Sequence, residues 1–163
     1  METSTAHIRE IRAEDNPEIA KLIRSVLIEM GMPKVGTAYA DKALDHMFEQ
    51  YDRPGSVYFL LVEGERIIGS AGIAPLDNYE GNVCELQKMY FLEGARGRGL
   101  GSQMMDACLT KAREFGYDKV YIETMPDMKA AQKLYVKSGF EYIDAPMGDT
   151  GHYSCQVWML KKL

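Results

Sequence analysis

The sequence is short of the features that mark nucleic-acid, membrane and metal proteins. Basic residues are outnumbered, 19 Lys and Arg against 24 Asp and Glu, for a net charge of −5. This balance argues against nucleic acid as a general partner, and Lys and Arg gather nowhere beyond Arg96 and Arg98. No apolar run is long enough to span a bilayer, and METSTAHIRE has no apolar stretch of the secretory type, so no membrane partner is expected. The 3 histidines, His7, His46 and His152, are scattered, and the 3 cysteines, Cys84, Cys108 and Cys155, lack metal-ligand spacing. No metal is therefore expected, and the cysteines read as buried free thiols in a reducing cytoplasm.

What is present is the composition of an ordinary globular domain, 46% hydrophobic and 26% charged. The length suits one domain, residues 1–163, with room for a core. His7 to Ile11 reads as an edge strand. Asn16-Pro17-Glu18 gives a helix start, a capping side chain followed by a proline at the first helical position and an acid, with Ile19, Leu22, Ile23, Val26, Leu27 and Met30 at helical spacing and Gly31 to close it. MPKVGTAYA is a loop, and Tyr39 to Tyr51 a second helix. Val57 to Val62 and Ile67 to Ala74 form a hairpin about Glu63-Gly64-Glu65-Arg66, and Gly69 and Gly72 mark a bulge or close packing. After a polar loop, Asp77 to Asn82, come a strand with Glu85 to Phe91, a helix from Gly99 to Phe115, and a strand from Lys119 to Thr124. A helix from Met128 to Ser138 and strands at Phe140 to Ile143 and Tyr153 to Leu160 close the chain. Helices alternate with strands in the middle and hairpins lie at the ends, which describes a mixed α/β sheet covered by helices.

The segment from Cys84 to Ser102 organises the rest. An apolar strand leads into Arg96-Gly97-Arg98-Gly99-Leu100-Gly101 and then into a helix with Leu100, Met104, Cys108, Ala112 and Phe115 on one face. Glycine lets a ligand approach the main chain closely. The first N–H groups of a helix carry partial positive charge, so the bend can hold a phosphate, with Arg96 and Arg98 adding charge-assisted hydrogen bonds. The alternative is a glycine turn with solvated arginines. The pattern is not a dinucleotide fingerprint, because its third glycine would fall on Ser102 or Met104. Nor is it a P-loop, because no Lys-Ser/Thr follows.

Arg96-x-x-Gly99-x-Gly101 resembles the Arg/Gln-x-x-Gly-x-Gly/Ala pyrophosphate loop of the GNAT N-acetyltransferases. Ala131-Gln132-Lys133-Leu134-Tyr135-Val136-Lys137-Ser138-Gly139-Phe140 resembles the same family's A-x-x-L-Y-x-x-x-G-F segment. The two motifs stand in the family's order, and the resemblance is specific over about residues 84–140. It implies a GNAT-like α+β fold, with a central, mixed, mostly antiparallel sheet of about seven strands flanked by about four helices. It also implies acetyl-coenzyme A as co-substrate and admits a homodimer. Residues 96–102 (Arg96, Gly97, Arg98, Gly99, Leu100, Gly101 and Ser102) would grip the pyrophosphate. The backbone of Met89, Tyr90 and Phe91, on a strand that splays from its neighbour, would meet the pantetheine and supply an oxyanion donor. Met128 stands where the family often has an asparagine, so contact there and near Ala131 would be apolar or through the backbone.

Tyr135 falls on the family tyrosine beside the coenzyme A sulfur. A phenol, with an ordinary pKa of about 10, can hand a proton to a thiolate. Its alternative role is to anchor a helix to the sheet. Glu85 precedes Arg96 by the spacing of the glutamate base in histone-acetylating members, and burial in an apolar strand would raise its pKa. The alternatives for Glu85 are a solvent-facing acid or a partner for a substrate ammonium. Three functions follow: an N-acetyltransferase for a small primary amine, a protein or peptide N-acetyltransferase, and a non-catalytic acyl-coenzyme A module. Tyr135 and Glu85 together favour an enzyme. Direct ternary-complex transfer is expected over a Cys-linked acyl-enzyme, since no cysteine has a basic partner in the sequence. The first two helices and their loop, with Met32, Lys34 and Tyr39, would shape the acceptor pocket. His152-Tyr153-Ser154-Cys155 would be ordinary strand.

Overall fold

The hairpin at Glu63-Gly64-Glu65-Arg66 forms, and the sheet extends on either side of it. The structure is a computed structural model that describes residues 5–31, 42–150 and 156–163. Strands β1 (Ala6–Glu10), β2 (Val57–Glu63), β3 (Arg66–Pro75), β4 (Val83–Phe91), β5 (Lys119–Thr124), β6 (Glu141–Ile143) and β7 (Val157–Lys162) make one sheet in the order β1-β2-β3-β4-β5-β7-β6. Every neighbouring pair is antiparallel except β4 and β5. The helices are α1 (Asn16–Glu29), α2 (Met47–Tyr51), α3 (Leu100–Glu114) and α4 (Lys129–Lys137). This is the mixed, mostly antiparallel α/β architecture expected from the sequence.

Strand alternation sorts the apolar residues into two layers. Cys84, Leu86, Val120 and Ile122 pack with Met104 and Cys108 of α3 and Tyr135 of α4. Tyr58, Leu60 and Ala74 pack with Ile19, Ile23 and Leu27 of α1 and Met47 and Tyr51 of α2. Val83 and Tyr121 sit in a third cluster with Leu76, so Val83, Glu85 and Gln87 alternate with Cys84 and Leu86 along β4.

Several boundaries differ from the sequence reading. Helix α1 begins at Asn16, directly after a 3₁₀ turn over Ala13–Asp15. Asp15 binds the Arg12 N–H at 2.7 Å and Arg9 at 2.8 and 3.0 Å. Asn16 does not cap its own helix. Its side chain accepts from the Phe48 N–H at 2.8 Å and donates to Glu49, tying α1 to α2. Gly31, at φ 66°, closes α1 as expected. The second helix divides into a 3₁₀ segment, Lys42–His46, and α2, while residues 39–41 lie outside the described residues. The loop residues Met32 and Lys34, and His152 to Cys155, also lie outside them. Strand β7 runs to Lys162, two residues past the expected end.

The bulge anticipated from Gly69 and Gly72 is present, with Ile68 of β3 extra against β2, and a second irregularity puts an extra residue on β4. Ser70 pairs with Tyr90 and Gly72 with Gln87, so Lys88 and Met89 together oppose Ala71. Lys88 adopts φ 51°, in the left-handed region that costs a non-glycine residue about 1–2 kcal/mol. The glycines of β3 allow close approach here. A Cβ on Gly69 would stand 2.5 Å from the Phe91 ring, and one on Gly72 would stand 2.4 Å from the Tyr58 ring and 2.6 Å from the Val57 carbonyl.

Because the Val57 carbonyl cannot move without breaking the sheet, Gly72→Ala is expected to destabilise the protein by about 1–3 kcal/mol, the range for overpacking a core. Urea unfolding of the two proteins measures this as a lower midpoint at unchanged slope.

Candidate active site

β4 and β5 pair over Val83–Lys119, Cys84–Val120 and Glu85–Tyr121, and then part. β4 runs on to Phe91 beside β3, and β5 runs on to Thr124 beside β7. The gap is lined by Leu86, Lys88, Met89 and Tyr90 on one side and Ile122, Glu123 and Thr124 on the other, with Met128 and Tyr135 across it.

Met89, Tyr90, Met128 and Tyr135 also line a larger cleft of about 200 Å³. Its other walls include Phe91, Arg96, Gly97, Gly99, Leu100, Gly101 and Ala131. Gly97 and Gly99 both take positive φ, 74° and 75°, and Gly99 is the N-cap of α3. The turn therefore delivers the first N–H groups of a fifteen-residue helix to the cleft, a geometry suited to an anion. Gly101 lets α3 approach α4, since a Cβ there would lie 3.3 Å from Leu134.

The two arginines are engaged elsewhere. Arg96 donates to the Phe91 carbonyl at 2.8 and 3.1 Å and pairs with Glu29 at 2.5 Å. Arg98 pairs with Glu63 and donates to the Gly94 carbonyl at 3.1 Å. Of the expected cofactor residues, Arg98 and Ser102 stand outside the cleft lining, whereas Met30, Ala95, Ala130 and Leu134 join it. Met30 comes from the end of α1, a juxtaposition with no signal in the sequence. The Met128 sulfur accepts from the Thr124 hydroxyl at 3.5 Å. Tyr135 is 5% exposed and packs against Phe140 with ring centroids 6.1 Å apart.

Glu85 lies in a separate, polar pocket of about 110 Å³, lined also by Tyr51, Arg53, Asp77, Gln87, Lys88 and Thr150. Lys88 is shared with the gap, so the bulge residue stands between the two spaces. Tyr51 donates to Gln87 Oε1 at 2.6 Å, and Gln87 Nε2 donates to Glu85 Oε1 at 2.6 Å. Glu85 is 3% exposed, so it does not face solvent. Burial pushes its carboxyl up to about 7, against the Gln87 hydrogen bond, with Glu123 and Asp77 adding to the rise and Lys88 opposing it. Glu123, held by Tyr121 at 2.6 Å and by Thr150, escaped the sequence reading. Its position two residues beyond Tyr121 places it on the Glu85 side of the sheet. Gln87 was legible in principle, because it shares a strand face with Glu85.

Cys84 and Cys108 are free and fully buried. Burial pushes the Cys84 thiol up to about 12 and the Cys108 thiol higher still. Cys155 lies outside the described residues. Among the described residues no group of His, Cys, Asp and Glu could hold a metal ion, and no helix is long and apolar enough to cross a membrane.

The Glu85 carboxyl makes stability depend on pH with a definite sign. Its ordinary value is 4.5 and its folded value about 7, so between these the folded chain keeps a proton that the unfolded chain has lost. Stability from this group therefore falls as pH rises through that window, by about 1–3 kcal/mol in all. Urea midpoints at pH 5 and pH 8 should show wild type losing more stability than Glu85→Gln across the same interval.

The model of the acetyltransferase (GNAT) family matches residues 22–140. The N-acetyltransferase YjgM of Escherichia coli K12 is 41% identical over 157 residues, covering 96% of this chain and 94% of YjgM. A GNAT-family acetyltransferase from Staphylococcus aureus Mu50 superposes with a TM-score of 0.86 at 23% identity, over 98% of this chain and 99% of that one. The PaiA N-acetyltransferase of Thermoplasma acidophilum, solved in complex with coenzyme A, gives a TM-score of 0.77 at 15% identity, over 98% and 99%. With the glycine turn, the parted strands and the matched family model in agreement, this chain belongs to the GNAT family of acetyltransferases.

Proposed function

We propose that residues 1–163 form a single N-acetyltransferase domain that moves the acetyl group of acetyl-coenzyme A to the primary amine of a small molecule, by direct transfer in a ternary complex. The carrying observation is that the three spaces adjoin through shared lining residues. The glycine-turn cleft shares Met89, Tyr90, Met128 and Tyr135 with the gap between β4 and β5, and the gap shares Lys88 with the Glu85 pocket. A thioester entering from the α3 side and an amine entering from the Glu85 side would meet at the gap.

In this reading the turn from Arg96 to Gly101 and the first N–H groups of α3 hold the pyrophosphate, and the backbone of Met89 to Phe91 holds the pantetheine. Glu85 takes a proton from the ammonium, and the freed nitrogen lone pair attacks the thioester carbon. The carbonyl oxygen takes up the negative charge facing a backbone N–H of β4. The C–S bond then breaks as the amide forms: Tyr135 gives its proton to the departing thiolate, and the second proton shed by the acylated nitrogen returns the phenol to its neutral form through water. A carboxyl at about 7 suits Glu85, because a base works best with its pKa near the working pH. A pocket of about 110 Å³ has room for the amine-bearing end of an acceptor. The buried free thiols Cys84 and Cys108 fit action in the cytoplasm.

Thiol release from acetyl-coenzyme A against amino acids, polyamines, aminoglycosides and short peptides tests the proposal, with calorimetry of acetyl-coenzyme A binding alongside. Amine-dependent release with a small acceptor is the expected result. Release with peptides alone would replace the small amine by a protein amine, and binding without release would leave a non-catalytic module.

Two substitutions then test the assigned groups. Tyr135→Phe is expected to lower kcat by about 10²-fold or more, the scale of a lost general acid, while acetyl-coenzyme A binds as before. In wild type, kcat/KM should rise with pH as Glu85 loses its proton and level off above about 7, and Glu85→Gln should abolish that limb.

A further inference from the structure

The β4 bulge is built over two hydroxyls buried in the sheet. Tyr58 of β2 is 1% exposed and Ser70 of β3 is 0% exposed. The Tyr58 hydroxyl lies 2.8 Å from Ser70 Oγ and donates to the Lys88 carbonyl at 2.9 Å, while Ser70 Oγ is 3.5 Å from the same carbonyl. Each hydroxyl has one hydrogen, so a consistent arrangement has Ser70 donating to Tyr58 and Tyr58 to Lys88. The relay ends on the one residue of β4 held at positive φ. Phenylalanine and alanine would fill the same space without polar atoms that demand partners in the core.

The Lys88 carbonyl and the Met89 N–H belong to one planar, trans peptide unit, so they point in opposite directions. Fixing the carbonyl toward Tyr58 and Ser70 therefore fixes the direction of the Met89 N–H. Tyr58 and Ser70 are on β2 and β3, and Met89 lines the gap on the opposite side of β4.

We propose that Tyr58 and Ser70 are positioning residues for acyl transfer: their hydroxyl relay locks the Lys88–Met89 peptide plane so that the Met89 N–H faces the gap where the thioester carbonyl lies. This rests on the reading above that the backbone of Met89 to Phe91 meets the thioester. Neither hydroxyl touches substrate. Their effect passes through the peptide plane, which separates them from packing residues of the same core.

The test uses the full chain and its Tyr58→Phe variant, with acetyl-coenzyme A carrying ¹³C at the thioester carbonyl as probe. Isotope-edited infrared spectroscopy reads the hydrogen bond to that carbonyl directly and needs no acceptor. In wild type the bound band should lie below that of free acetyl-coenzyme A, and in Tyr58→Phe it should return toward the free position. The kcat for the amine of the panel that wild type acetylates fastest should fall by at least about tenfold, a part of the cost of losing an oxyanion donor outright. The dissociation constant of acetyl-coenzyme A should stay within about threefold, since the pyrophosphate grip is untouched. A shifted wild-type band that Tyr58→Phe leaves in place would overturn the relay and leave the backbone reading standing. An unshifted wild-type band would overturn the backbone reading, and the relay with it. Should Tyr58→Phe fail to fold, Ser70→Ala faces the same three measurements. A loss of thermal stability with the band and kcat unchanged would reduce the pair to structure.

Discussion

The site depends on one constraint, the parting of β4 from β5 after Glu85 and Tyr121. These strands make the sheet's parallel contact, and a parallel pair cannot be joined by a tight turn. The chain must leave the end of β4, cross over and return, and α3 is that crossover. Its N-terminus therefore falls beside the end of β4, where the strands have already separated. The β4–β5 ladder ends there, so beyond Glu85 this edge of β4 faces the gap instead of a neighbouring strand. A helix N-terminus and the open edge of β4 thus adjoin through topology alone.

The same parting grades the environment along β4. Glu85 lies where the strands still pair, so it is buried and its carboxyl is pushed up. Gln87, itself held by Tyr51, donates to that carboxyl, which limits the rise. The arginines of the glycine turn live under the opposite regime. Arg96 and Glu29 are 36% and 45% exposed at the side chain, and Arg98 and Glu63 are 41% and 26%. Solvent-screened pairs of this kind contribute little to stability, so in the proposed reading exchanging Glu29 for a diphosphate would cost Arg96 little. The buried carboxyl is held in place, and the exposed guanidinium is free to change partner.

Much of this was legible in the sequence because the decisive signals are local. The glycine turn, the hairpin at Gly64 and the tyrosine segment each sit within a few residues, and β5 matches its expected span from Lys119 to Thr124. Gly69 and Gly72 announced close packing because a missing Cβ is visible in a sequence. The residue that pays the strain, Lys88, was not visible, since the hydroxyls that hold its carbonyl lie eighteen and thirty residues away. Asn16 misled for a related reason: its side chain prefers the backbone of Phe48 to its own helix, a choice made by tertiary contact. Met30 and Glu123 reached the site through helix packing and strand register, which no short motif encodes.

The division of the core into two layers bears on how an acyl group could travel. Cys84 and Cys108 belong to the α3 layer, among Leu86, Met104 and Ile122, whereas Glu85 points to the other side of β4. A cysteine relay needs a thiolate, and burial holds the Cys84 thiol up near 12 with no basic side chain among the causes acting on it. Neither thiol lines the cleft, the gap or the Glu85 pocket. Among the described cysteines, then, none stands between donor and acceptor, while the gap brings the two spaces together at Lys88, Met89 and Tyr135. The direct attack of the amine on the thioester proposed above needs no cysteine between the two spaces, in keeping with this arrangement.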